Sequence, residues 1–178
     1  MAPIDPPVLD AGAGLWLRGA WREDVDAVLA ACEPMAGDRW LNFPDPYERT
    51  HAADWLQRCH DDHAAGRAVH LLAERDGRVV GSFSLMELTR APRYGEVGYW
   101  VTPALRGRGI ATRGLARVRE WGAEGLGLER IEVLVDEENV PSRRVAVGGG
   151  FTETTERRLA PRHEDPGPPR LIVHVWQA

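Results

Sequence analysis

The chain runs from Tyr99-Trp100-Val101 into Arg106-Gly107-Arg108-Gly109 and then Ile110-Ala111-Thr112. A strand-like run thus enters a helix-like one through a turn with two glycines, each preceded by an arginine. Glycines let the backbone bend tightly and approach a ligand. The first amides of a helix lack internal partners and point one way, with the helix dipole behind them. Together these make an anion site, with Arg106 and Arg108 adding charge at its rim. A helix entry with two exposed arginines and no ligand is the plainer alternative. Common nucleotide loops do not fit: the chain has no lysine for a Walker loop, and Thr112 stands where a dinucleotide fingerprint needs a third glycine.

Other reactive side chains are less suggestive. Cys32 and Cys59 are too few for a disulfide framework and lack a C-x-x-C spacing. His60 and His63 fall at helical i, i+3 spacing beside Asp61 and Asp62, but no fourth metal ligand is evident. A solvated helix end is the expected reading there.

Several elements must position the glycine turn. A strand is expected at 15–18 and a helix at 22–33, stopped by Pro34. The run Asp45-Pro46-Tyr47-Glu48 has the marks of a second helix start, with Ala52, Trp55, Leu56, Cys59 and His63 on its inner face. Two apolar runs, 69–74 and 78–88, flank Asp76-Gly77 and read as a hairpin. Further strands are expected at 96–101 and 130–136, a helix over 111–124 and another over 139–147, then strands at 151–159 and 171–176. This order gives an α/β fold built on a mixed sheet rather than uniform β-α alternation. Residues 1–13 read as a loose leader and 160–170, rich in Pro and Gly, as a mobile loop.

The 178 residues suit one domain. A net charge of −5 argues against a general nucleic-acid binder and is compatible with cationic small molecules or peptides. The start has neither a basic segment nor an apolar run, and no later run approaches membrane-spanning length, so a cytoplasmic, soluble protein is expected.

The motifs resemble those of the GCN5-related N-acetyltransferases (GNAT). Arg106-Gly107-Arg108-Gly109-Ile110-Ala111 fits the family's [QR]-x-x-G-x-[GA] pattern. Glu96-Val97-Gly98-Tyr99-Trp100-Val101 resembles its fourth strand. Asn139 and Ser142, with Arg143, Val145 and Gly150-Phe151, resemble the N-x-x-S … GF segment of the RimJ/RimL-type branch. The likeness covers residues 15–176 and three motifs in order.

That resemblance implies a single-domain GNAT fold, a mostly antiparallel sheet flanked by helices and splayed between its fourth and fifth strands. It implies acetyl-CoA as cosubstrate, with its pyrophosphate on the backbone of 106–112, its pantetheine beside Trp100 and Val101, and Asn139 near the pantetheine or the sulfur. Glu96 is the implied base, with an exposed strand-end carboxylate or one paired with Arg93 as the alternatives, and Glu87 and Glu132 in reserve. Ser142 is the implied acid at the departing thiol, against a first-turn serine bonding backbone near Pro141. No tyrosine occurs in 136–151, so a tyrosine acid from that stretch is excluded. Trp40, Phe43 and Trp55 fall in the region that caps the acceptor cleft in this family, as a substrate wall or simply as core. The expected reaction is direct attack by a primary amine in a ternary complex, with a protein or peptide N-terminus as leading acceptor. An antibiotic or polyamine acetyltransferase and a non-catalytic acyl-CoA-binding module are the alternatives. Relatives are often dimers, which leaves a homodimer as the assembly to test.

Overall fold

The computed structural model describes residues 2–159 and 170–178. One sheet carries the order β1-β2-β3-β4-β5-β6-β8-β7. Its strands are β1 (Leu9–Asp10), β2 (Leu15–Gly19), β3 (Val69–Arg75), β4 (Arg78–Met86), β5 (Tyr94–Val101), β6 (Arg130–Asp136), β7 (Thr152–Leu159) and β8 (Arg170–Gln177). The α-helices are α1 (Val25–Cys32), α2 (Arg49–Ala65), α3 (Ile110–Leu126) and α4 (Val140–Gly148). Neighbouring strands are antiparallel except β5 and β6, which run parallel.

Helices cover both faces, so β3 is buried continuously over its first five residues instead of alternating. Leu72 packs with Val28 and Cys32 of α1 and Ala52, Leu56 and Cys59 of α2. On the other face Leu71, Phe83, Leu85, Val97 and Val133 pack with Leu115 and Val118 of α3 and Ala146 of α4. Gly114 lets α3 settle on the sheet: a Cβ there would stand 2.1 Å from the Phe83 ring.

Two expectations change. The leader contains β1, whose Leu9 is buried and pairs with Leu17, while the Ile4 amide bonds the His63 carbonyl. The second helix begins at Arg49, with Glu48 as its N-cap and the His51 ring accepting from the Glu48 amide at 3.0 Å. The mobile loop expected at 160–170 lies outside the described residues except for Arg170, which begins β8.

The implied splay is present. Strands β5 and β6 pair only at Tyr94↔Arg130, Gly95↔Ile131 and Glu96↔Glu132. Past that point β5 stays with β4 and β6 stays with β8, so the two strands part. The vertex is held by Glu132, only 1% exposed, whose carboxylate meets Tyr94 Oη at 2.7 Å, Arg130 Nε at 2.7 Å and Arg158 at 2.7 Å. Burial alone would raise its pKa, but these partners outweigh burial and hold the carboxyl below the ordinary range.

Candidate active site

The parting strands open onto a cleft of about 850 Å³. Trp100 and Val101 line it from β5, and Val133, Leu134 and Val135 from β6. Gly107, Gly109, Ile110, Ala111 and Thr112 line the side where α3 begins. Gly107 and Gly109 both have φ of +74°, in the left-handed region that only glycine enters freely. Gly109 is the N-cap of α3 and supplies no side chain, so nothing of its own covers the first-turn amides.

The two arginines of the turn diverge. Arg106 lines the cleft, but its guanidinium is committed: Nε donates to the Val101 carbonyl at 3.1 Å and a terminal nitrogen to Asp38 at 2.9 Å. It braces the end of β5 against the α1–α2 connection. The Asp38 carboxyl is correspondingly held low, since the Trp40 amide and Arg106 outweigh its partial burial. Arg108 is exposed, is not among the lining residues, and offers its carbonyl to Arg113 at 3.2 Å.

Helix α4 supplies the opposite wall through Asn139, Pro141, Ser142 and Val145. Asn139 is the α4 N-cap, its Oδ1 accepting from the Ser142 amide at 3.1 Å. That oxygen is therefore occupied by the helix. Ser142 Oγ does not turn to backbone near Pro141; it lies 2.6 Å from Tyr99 Oη. A tyrosine does reach this place, from β5 and not from 136–151. Tyr99 also lines the cleft and stacks on Phe83 at 5.8 Å between ring centroids. Burial pushes its phenol pKa up, against the lowering effect of the Ser142 bond. Alternation along β5 places Tyr99 with Val97 and Val101, the one sequence signal that points it toward α3 and α4.

Glu96 sits at the vertex, half-buried, and is not among the cleft-lining residues. Burial and then the neighbouring Glu87 push its carboxyl up from the ordinary value. Arg93 is not its partner, because Arg93 pairs with Glu129. Glu132 is removed as a reserve base by its three partners at the vertex. His63 is buried rather than solvated, and His60 is exposed.

A second cavity, about 340 Å³, is lined by Phe43, Tyr47, Trp55 and Trp100 with Asp54 and Arg58 at its rim. It shares Asn42 and Trp100 with the larger cleft. Trp40 lines the larger cleft instead.

Comparison with known proteins agrees with this architecture. The acetyltransferase (GNAT) domain matches residues 15–152. YdaF of Bacillus subtilis (strain 168), provisionally named a ribosomal N-acetyltransferase, is 31% identical over 126 residues, 67% of each chain. Spermidine N(1)-acetyltransferase of Escherichia coli (strain K12) is 30% identical over 137 residues, 76% of this chain and 72% of that one. The solved structure of Mycobacterium smegmatis RimJ with CoA-disulfide superposes with a TM-score of 0.78 at 26% identity, covering 99% of this chain and 86% of that one. The chain therefore belongs to the GNAT acetyltransferase family and is an N-acetyltransferase whose acetyl donor is acetyl-CoA.

Proposed function

We propose that the enzyme acetylates the N-terminal α-amine of a protein or peptide by direct attack on the thioester. The observation that carries this reading is the cleft between parting strands, with bare helix-entry amides on one side and a Tyr99–Ser142 couple on the other. Amides of residues 107–112 suit a diphosphate; the Arg106 amide already donates to the Pro103 carbonyl at 3.2 Å, and its side chain serves as brace more than as phosphate ligand. Asn139 supports the same wall by capping α4.

An α-amine has a pKa near 8, against about 10.4 for a lysine amine. At neutral pH the first needs roughly one unit of help and the second about three. One carboxylate with a raised pKa is suited to the smaller task. Glu96 takes a proton from the nitrogen as the N–C bond forms. Ser142 gives its hydroxyl proton to the departing sulfur and is resupplied by Tyr99, which regains a proton from solvent once coenzyme A has left. A free thiol has a pKa near 8.5, so this donor need not be strong. The name of YdaF supports a ribosomal-protein acceptor, and with it a cytoplasmic reaction as part of this proposal.

A polyamine acceptor is the second reading. It is favoured by the spermidine relative and by the aromatic cavity with Asp54 at its rim. Thiol release from acetyl-CoA, measured with peptides of varied first residue and with spermidine, separates the two. The peptide reading expects the higher kcat/KM on a peptide α-amine; a higher value on spermidine overturns it. Glu96→Gln is expected to lower kcat about 10²-fold with acetyl-CoA affinity kept. Equal loss of both would make Glu96 structural.

A further inference from the structure

An ammonium carries three N–H bonds and the product amide carries one, so two protons must leave the nitrogen. Glu96 accounts for one. Beside it, on the same face of the sheet, is a hydrogen-bonded series that the reading above leaves unused. Asp62 Oδ2 lies 3.1 Å from His70 Nε2, and His70 Nδ1 lies 2.8 Å from Ser84 Oγ. A carboxylate only accepts, so Nε2 carries the ring proton and Nδ1 is left to accept from the Ser84 hydroxyl. Asp62 is fixed in turn by Arg67 Nε at 3.0 Å. His70 is 7% exposed, and its own amide donates to His63 Nε2 at 2.9 Å.

The series ends next to the cleft. Ser84 is half-buried and pairs across the β4–β5 ladder with Gly98, which lines the cleft. Glu96 stands two residues before Gly98 and shares its face. A Cβ at Gly98 would stand 3.1 Å from the terminal methyl of Met86 and within 4 Å of nothing else, so a single flexible side-chain end covers this position. The oxygen of Ser84, its proton directed at His70, presents lone pairs beside that methyl, which an entering amine would displace.

We propose that Ser84 is a further catalytic group that binds the acceptor ammonium and takes its first proton, with His70 and Asp62 as positioning residues behind it. The ammonium gives a proton to Ser84 Oγ while Ser84 gives its own to His70 Nδ1. The amine becomes neutral, the imidazole becomes imidazolium, and Asp62 stabilises that charge through Nε2–H. The proton returns to solvent by the reverse route after the product leaves. Burial lowers the His70 pKa, opposed by Asp62, so the ring is a free base at neutral pH. The charged and titratable groups facing it are Asp62, Arg58 and His63 from α2. Arg67 reaches it through Asp62, while β4 contributes the neutral Ser84 and the segment after β2 only the Ala20 amide.

The proposal rests on the acceptor amine entering above Gly98. Its test is the pH dependence of kcat/KM for Ser84→Ala and His70→Gln, with Ser84→Thr as the conservative rescue. At pH 7 both losses should be about 10²-fold on a peptide α-amine, with acetyl-CoA affinity unchanged. The deficit should close above about pH 8, where that amine deprotonates unaided, and on spermidine it should persist to about pH 10. Ser84→Thr should recover most of the rate. A deficit that is independent of pH, or a fall in thermal stability with kcat/KM unchanged, overturns the proposal. The acceptor reading fails separately, on which amine the unaltered enzyme prefers.

Discussion

At the scale of single residues, the bond between Tyr99 Oη and Ser142 Oγ underlies the proposed route by which the leaving thiol is protonated. Tyr99→Phe keeps the ring stacked on Phe83 and removes only the hydroxyl. It should lower kcat about tenfold while leaving KM for acetyl-CoA near its original value. Ser142→Ala should cost at least as much, and the double variant little more, because the two hydroxyls act in series. With an acetyl donor whose thiol is more acidic, the Tyr99→Phe deficit should shrink; an unchanged deficit would show that the pair does not serve the leaving group. Ser142 was legible in the sequence because it stands in a local motif. Its partner was not, since 43 residues separate them and only the path of β5 across the sheet joins them. Asp38 was hidden for the same reason: a loop carboxylate gives no periodic signal, and its bond to Arg106 exists only in three dimensions.

At the scale of elements, periodicity and turn chemistry located the hairpin, the strand at 130–136 and the helix behind the glycine turn. They failed where local signals were short or competed. Strand β1 has two residues, too few for any alternation to show. Asp45-Pro46 has the composition of a helix start, but the structure uses Glu48 and His51 for that purpose. Helix α3 shows how element packing reaches the site. Gly114→Ala would place a methyl 2.1–2.7 Å from Phe83 ring atoms, and Phe83 stacks on Tyr99. The ring has no free end to swing aside. The substitution should therefore cost about 1–3 kcal/mol by urea unfolding and lower kcat by displacing Tyr99. Unfolding and activity both at the original values would mean that α3 can lift off the sheet without consequence.

At the scale of the whole molecule, helices on both faces force the central strands into burial, and polar side chains there must be satisfied by one another. Two cores result, one under α1 and α2 and one under α3 and α4, with the cleft opening where the sheet splits. The sequence announced the mixed sheet, but its alternation could not reveal that β3 would be covered twice. His63 bears the consequence. It is 5% exposed, its Nε2 accepts the His70 amide, and its Nδ1 has no partner among the described residues. Burial, reinforced by His70, depresses its pKa to about 4. The unfolded chain, with a histidine near 6.5, binds the proton first as pH falls. Stability from this residue is complete above pH 6.5, declines between 6.5 and about 4, and declines no further once the folded form also protonates. Asp62, whose carboxyl is held low, adds its loss only below the ordinary carboxylate range. Between pH 7.5 and 4.5 the folded state should lose on the order of 1–2 kcal/mol through His63, allowing for solvent screening. In His63→Gln the amide oxygen can still accept from His70 while nothing titrates, so the loss over that interval should be smaller by this amount. Parallel urea titrations of the two proteins at both pH values measure it, and equal losses would place the acid sensitivity elsewhere in the fold.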